Sequence, residues 1–292
     1  MSAPRNALGA VLLTAAWVFF TTEMVLVRIL SEDLSIPQIG VFRLGTQALL
    51  LLPLALIWPA WLLATRRFPL HAARTLCSSG GMVLFYLAFA LLPLALATTL
   101  TFMTAAFVMI LASLILGERI GPRRIAAVSI GFLGVLVAMR PGAGAIEPGM
   151  LIALAGAFVA ALLMILTRQL SSTEGRLTIM AYSSGLGLVL MAVPALLTWA
   201  QLELRHLPML GLVGLTGTSG QFLMVWAFQI AEASALAPVD YLRLIFAVLA
   251  GYAVFAEVPD LWTWAGAAII VSSVAYATHR ERLAHRHTRS PR

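Results

Sequence analysis

The chain has 292 residues, 61% of them hydrophobic and only 11% charged, with a mean hydropathy of +0.96. A soluble domain runs nearer ~45–50% apolar and ~25% charged, so the composition excludes one and implies an all-α polytopic membrane protein. The net charge of +7 comes from 19 arginines and no lysine; their scatter over short loops excludes a basic nucleic-acid face, and the single Cys77 excludes an internal disulfide or cysteine-rich metal site.

Ten apolar stretches approach the ~20 residues that a span requires; they lie near 8–29, 37–63, 74–92, 95–116, 123–139, 149–168, 177–199, 208–229, 236–256 and 261–279. The first runs from Leu8 to Val27, too long for a cleaved leader, and is an uncleaved first helix. Trp17, Thr21, Met24 and Arg28 share one of its faces. Glu23 has no basic partner on its own helix, since Arg28 sits five residues on at the wrong angle. A lone carboxylate in low dielectric either carries a coupling proton or faces water near the outer mouth. Span two holds Arg43 with Gln47 one turn further on. Its guanidinium either forks onto a substrate carboxylate or locks helices together.

Tyr86 falls in span three, and Pro93 separates spans three and four. Thr98, Thr99, Thr101 and Thr104 make span four polar without charge, lining a pathway or capping carbonyls. Gly131 and Gly134 in span five, the glycines at 211, 214, 217 and 220 in span eight, and Gly266 in span ten let helices approach closely. In span nine Asp240 and Arg243, three apart, share a face and can pair. That pair, beside a helix end loosened by Pro238, either binds the zwitterionic head of an amino acid or is structural. The aromatic residues Trp17, Phe20, Tyr86, Phe102, Tyr182, Trp226 and Tyr241 either wall a small-molecule pocket or pack in the bundle. Trp58, Trp61, Trp199, Trp262 and Trp264 lie near span ends as interfacial anchors.

The two halves repeat. At a constant offset of 140, Gly9 aligns with Gly149, Arg28 with Arg168, Ser31 with Ser171, Phe42 with Tyr182, Gly45 with Gly185 and Arg140 with Arg280. Each copy holds five spans, an odd number, so the copies insert upside down relative to each other, the plan of an alternating-access transporter. The divisions are 1–145, 146–280 and a basic tail over 281–292. With the N-terminus inside, 14 arginines fall in cytoplasmic segments (Arg66, Arg67 and Arg74 among them) and three (Arg28, Arg140, Arg205) fall outside. The bias places both termini in the cytoplasm. Equivalent loops differ in charge as inversion requires: the loop around Glu118 is rich in arginine, and the one around Glu257 has none.

Several segments carry a family resemblance: Phe42-Arg43; Gly117-Glu118-Arg119; Gly131-Phe132-Leu133-Gly134-Val135; Arg140-Pro141-Gly142; Ala237-Pro238-Val239-Asp240-Tyr241; Ala256-Glu257-Val258-Pro259-Asp260; and Gly266. In order and spacing the chain resembles the drug/metabolite transporter superfamily, EamA-type branch, and its size and layout are similar to YddG-type exporters of aromatic and other amino acids. The resemblance implies two inverted five-helix repeats around a central cavity and metabolite movement by alternating access.

The expectation is a secondary transporter of the bacterial inner membrane that exports aromatic or other apolar amino acids, or related small metabolites, as a monomer. The substrate-binding candidates are Trp17, Arg43, Tyr86, Thr101, Phe102, Tyr182, Trp226, Asp240, Tyr241 and Arg243, with Glu23 as a proton site. No cofactor, metal, nucleic acid or ATP is expected: the chain has no phosphate-binding loop and no metal-ligand spacing. The alternative is uptake of a nucleoside-like metabolite such as S-adenosylmethionine, whose cationic charge would favour Glu23 and Asp240. An intramembrane enzyme would need a clustered catalytic set that the sequence lacks.

Overall fold

The computed structural model describes residues 3–57, 63–116, 122–139, 147–171, 173–231, 239 and 242–272. Among them every regular element is a helix: α1 (Ala3–Leu30), α2 (Ile36–Ile57), α3 (Phe68–Leu91), α4 (Leu94–Thr101), α5 (Met103–Leu116), α6 (Pro122–Met139), α7 (Pro148–Ser171), α8 (Arg176–Leu197), α9 (His206–Ile230), α10 (Leu242–Phe255) and α11 (Leu261–Ser272). Six of them (α1, α2, α3, α7, α8 and α9) are long and apolar enough to cross a membrane. Shorter apolar helices fill the remaining apolar stretches. Large side chains such as Leu56, Leu114, Val193 and Leu196 point out of the bundle. That suits hydrocarbon as a solvent and would be costly in water.

Local chemistry sets the boundaries. Pro122 and Pro148 each open a helix, where the missing N–H costs nothing. After α3 the chain extends through Leu92 and Pro93 before α4 begins. The fourth apolar stretch is not the continuous helix expected over 95–116: it breaks at Phe102. There the Phe102 N–H reaches Thr99 O at 3.2 Å, a tightened turn, and the Thr101 hydroxyl donates to Thr98 O at 2.7 Å. Hydroxyls that bond back to the backbone compete with the regular ladder. A second difference concerns Arg74. It is not a loop arginine: α3 starts at Phe68, and Arg74 is only 6% exposed within it.

Helices of the two halves interleave. α1 packs on α9, α3 on α7, and α2 on α8 and α9. Glycines permit the closest approaches. A Cβ on Gly266 would lie 2.6 Å from both Gly134 O and Ala138 Cβ, so α6 and α11 touch backbone to backbone. On α9, a Cβ at Gly214 would collide with the Thr46 side chain.

The loops close the bundle at both ends. At one end the α1–α2 loop meets the α8–α9 loop: Asp33 pairs with His206 at 3.2 Å and Arg205 at 3.3 Å, and Gln38 exchanges two hydrogen bonds with the Ala200 backbone. At the other end the α7–α8 loop meets the α2–α3 loop, where the Thr65 hydroxyl donates to Glu174 at 2.8 Å.

Candidate functional site

Four helices bring one ion pair to the interior. Glu23 of α1 is 6% exposed. The Arg43 Nε of α2 donates to Glu23 Oε1 at 3.0 Å, and the Tyr86 hydroxyl of α3 donates to the same oxygen. Arg43 also reaches Gln47 Oε1 at 3.4 Å and Gln221 Oε1 of α9 at 3.5 Å. Gln47 in turn donates from Nε2 to Met180 O of α8 at 3.3 Å. Gly217 of α9 forms the floor: a Cβ there would lie 2.7 Å from Glu23 Oε1 and 2.8 Å from Arg43 Nε. The expectation of a lone Glu23 is therefore corrected. Its partner comes from a different helix, which spacing along α1 does not reveal. A charge in low dielectric survives by pairing, and Tyr86, Gln47 and Gln221 add hydrogen bonds to this pair.

A second centre gathers three of the expected residues. The Arg243 guanidinium of α10 lies 4.0 Å from the ring centre of Phe102 and 5.4 Å from that of Trp17. The break between α4 and α5 presents Phe102 to this cation. Cation–π contacts contribute ~0.5–2 kcal/mol, more where water is excluded. Trp17 Nε1 is buried without a hydrogen-bond partner, so a polar group of a bound molecule would satisfy it. Thr101 is buried beside Phe102, its hydroxyl proton already used on Thr98 O.

Two expected residues lie elsewhere. Tyr182 stands near the α2–α3 loop: its hydroxyl donates to Leu63 O at 2.8 Å, and its ring lies 4.4 Å from that of His71. Trp226 is 41% exposed and tilts against Phe222 on the outer face of α9. Five residues beyond Gln221, it falls well around the helix from the buried face. Asp240 and Tyr241 lie outside the described residues. Gln221, Gly217 and Arg74 were not among the expected binding residues. The signal for Gln221 was an amide within an apolar helix.

A cavity of about 400 Å³ sits off this centre, among Leu96, Met139, Met150, Val248, Gly251 and Glu257. Its edge is held by Glu257, which pairs with Arg28 of α1 at 2.5 Å and accepts from the Leu94 N–H of α4 at 3.0 Å. No group of three or more metal-ligating side chains occurs among the described residues.

A bundle of apolar helices with a charged, hydrogen-bonded interior is a polytopic membrane protein. The EamA-like transporter family model matches residues 7–140 and 147–278, so the chain belongs to that family and with it to the drug/metabolite transporter superfamily. It is 29% identical to an S-adenosylmethionine uptake transporter of Rickettsia bellii over 85% of each chain. It is 28% identical to a riboflavin transporter of Rhizobium johnstonii, covering 95% of this chain and 93% of that one. The pseudopaline exporter CntI of Pseudomonas aeruginosa is 29% identical over 90% of this chain and 93% of its own. A solved crystal structure with 17% identity aligns at a TM-score of 0.61, covering 94% of this chain and 99% of that one; the likeness concerns the fold alone.

Proposed function

We propose that this protein is a secondary transporter for a small zwitterionic metabolite, one with an amino-acid head and an apolar, aromatic or heteroaromatic body. The observation that carries the reading is the buried Glu23–Arg43 pair. It offers both signs of charge at one depth, and Trp17 and Phe102 offer aromatic faces at a second centre. Arg43 meets a carboxylate, and the body stacks against Trp17 and Phe102 near Arg243. Asp240 and Tyr241 belong to the same proposed site by their place in the sequence. The cargo expected from sequence is an aromatic or other apolar amino acid moving outward. The relatives described as S-adenosylmethionine uptake transporters favour a second reading: inward movement of S-adenosylmethionine, an amino-acid head joined to a nucleoside.

The ten apolar stretches are proposed as ten spans in two inverted repeats, 1–145 and 146–280, with both termini in the cytoplasm of a bacterial cell and the bilayer as the protein's only obligate partner. The loop contacts support this. The α1–α2 loop aligns with the α7–α8 loop at the offset of 140, and each meets its partner loop at opposite ends of the bundle. Transport then consists of the two halves rocking about the central pair, with the protein acting as a monomer. Glu23 is proposed to carry a coupling proton when Arg43 turns to substrate.

The test is flux in proteoliposomes made with purified protein. Labelled L-phenylalanine and labelled S-adenosylmethionine are followed separately, with and without a proton gradient. Saturable flux of one of them, lost in Arg43→Gln, is the expected result. Absence of flux for both, with protein that is folded in the vesicles, overturns the reading. Flux indifferent to the gradient removes the proton role of Glu23.

A further inference from the structure

Away from the central pair, a second arginine is buried with no carboxylate beside it among the described residues. Arg74 lies in the second turn of α3. Its Nε donates to Thr167 Oγ1 of α7 at 2.9 Å, and one terminal nitrogen donates to Ser183 Oγ of α8. Both acceptors are neutral. Both hydroxyl protons are turned away, Thr167 onto Leu163 O at 2.6 Å and Ser183 onto Ile179 O at 2.7 Å, so lone pairs face the guanidinium. These bonds use two of its five N–H groups.

The same face of α3 carries two more incomplete groups. His71 Nε2 and Thr75 Oγ1 are buried without a hydrogen-bond partner, on residues each 1% exposed. Positions 71, 74 and 75 follow the helical repeat and form one patch. Glu174 of the α7–α8 loop holds its Oε2 3.8 Å from His71 Nε2, beyond hydrogen-bond reach, and its Oε1 accepts from Thr65. Buried polar groups are normally satisfied, and a buried cation lacking a counter-charge is costly. Among the described residues, a buried cation and two unpartnered polar groups share one patch that a bound anionic group would complete.

We propose that Arg74, with His71 and Thr75, binds the head of an α-amino acid at this end of the bundle. The carboxylate takes the N–H groups of Arg74 that Thr167 and Ser183 leave unused, and the ammonium turns toward Glu174. A phosphate dianion fits poorly, because Glu174 would repel it. This site deepens the transport reading by giving the amino-acid head a station apart from the central pair, and it rests on that reading for its role in flux.

The experiment is thermal unfolding of the purified full-length protein, followed by tryptophan fluorescence, during titration with L-methionine, L-methioninamide or inorganic phosphate. The double variant Glu23→Gln, Arg43→Gln serves as background and removes the charges of the central site. In that background L-methionine is expected to raise Tm saturably and L-methioninamide, lacking the carboxylate, to have no effect. Adding Arg74→Gln weakens L-methionine at least about tenfold, and Arg74→Lys, which keeps charge but loses the fork, weakens it less. Without ligand, Arg74→Gln is expected to be as stable as its parent, because a buried unbalanced charge is gone. Three results overturn the assignment: an Arg74→Gln protein that melts lower or does not fold, which makes Arg74 a structural clamp; L-methionine binding unchanged by Arg74→Gln; and phosphate binding tighter than L-methionine. Arg74-dependent binding without flux in liposomes leaves the site standing and overturns only the transport reading.

Discussion

Glu23 and Arg43 depend on each other more than on the fold around them. Removing one charge strands the other in the bundle interior, a change that costs ~3–5 kcal/mol, whereas removing both leaves two neutral amides among hydrogen-bond partners. Glu23→Gln and Arg43→Gln are each expected to lower Tm, and the double variant to recover most of the loss. Thermal unfolding of all four proteins in one detergent checks this, and a double variant as unstable as the sum of the singles would deny the coupling. Phe102 makes a separate contribution through the Arg243 guanidinium 4.0 Å from its ring centre. Phe102→Leu keeps the apolar volume and loses the π face, so we expect a raised KM for an aromatic cargo with little change in Tm, read from flux at varied substrate concentration. The sequence marked Glu23, Arg43, Trp17, Phe102 and Arg243 because polar, charged and aromatic groups are conspicuous in apolar stretches. It did not show which of them meet, because each pair joins different helices.

At the scale of elements, glycine positions decide how closely helices approach. A Cβ on Gly217 would push into Glu23 and Arg43 directly, and overpacking of this kind costs ~1–3 kcal/mol. Gly217→Ala is expected to reduce flux more than Gly211→Ala, whose added Cβ would meet nothing within 4 Å. Equal effects of the two variants on flux would separate α9 packing from the ion pair. At the α6–α11 crossing, Gly266→Val should lower Tm by several degrees, a loss that thermal unfolding would detect. The glycine stripe was legible in the sequence as a packing signal, but which glycine bears on the charged centre was not. The break at Phe102 was missed because the stretch 95–116 holds no proline or glycine to announce it, and only the bonding of its threonines reveals the interruption.

For the whole molecule, side-chain contacts join the two halves at each end of the bundle. The Arg28–Glu257 pair ties α1 to the segment after α10, and Glu257 also caps the start of α4. Both side chains are partly exposed, so the pair contributes only ~1 kcal/mol, small enough to be broken during a transport cycle. Arg28→Glu is expected to change flux a few-fold, and Arg28→Glu with Glu257→Arg to restore it. Flux in reconstituted vesicles decides the point, and a double variant no better than the single would remove the pair from the cycle.

Composition, hydropathy and motif order by themselves determined that this is an all-helical membrane protein of the EamA-like family, because a bilayer demands long apolar helices and those leave a plain record in one dimension. The tertiary structure alone decided that Glu23 is paired, that Arg74 is a buried cation rather than a loop arginine, and that Tyr182 and Trp226 stand apart from the central pair. Each of these rests on which faces of separate helices meet, and that depends on the rotation and crossing of helices far apart in the chain, which no spacing along a single helix encodes.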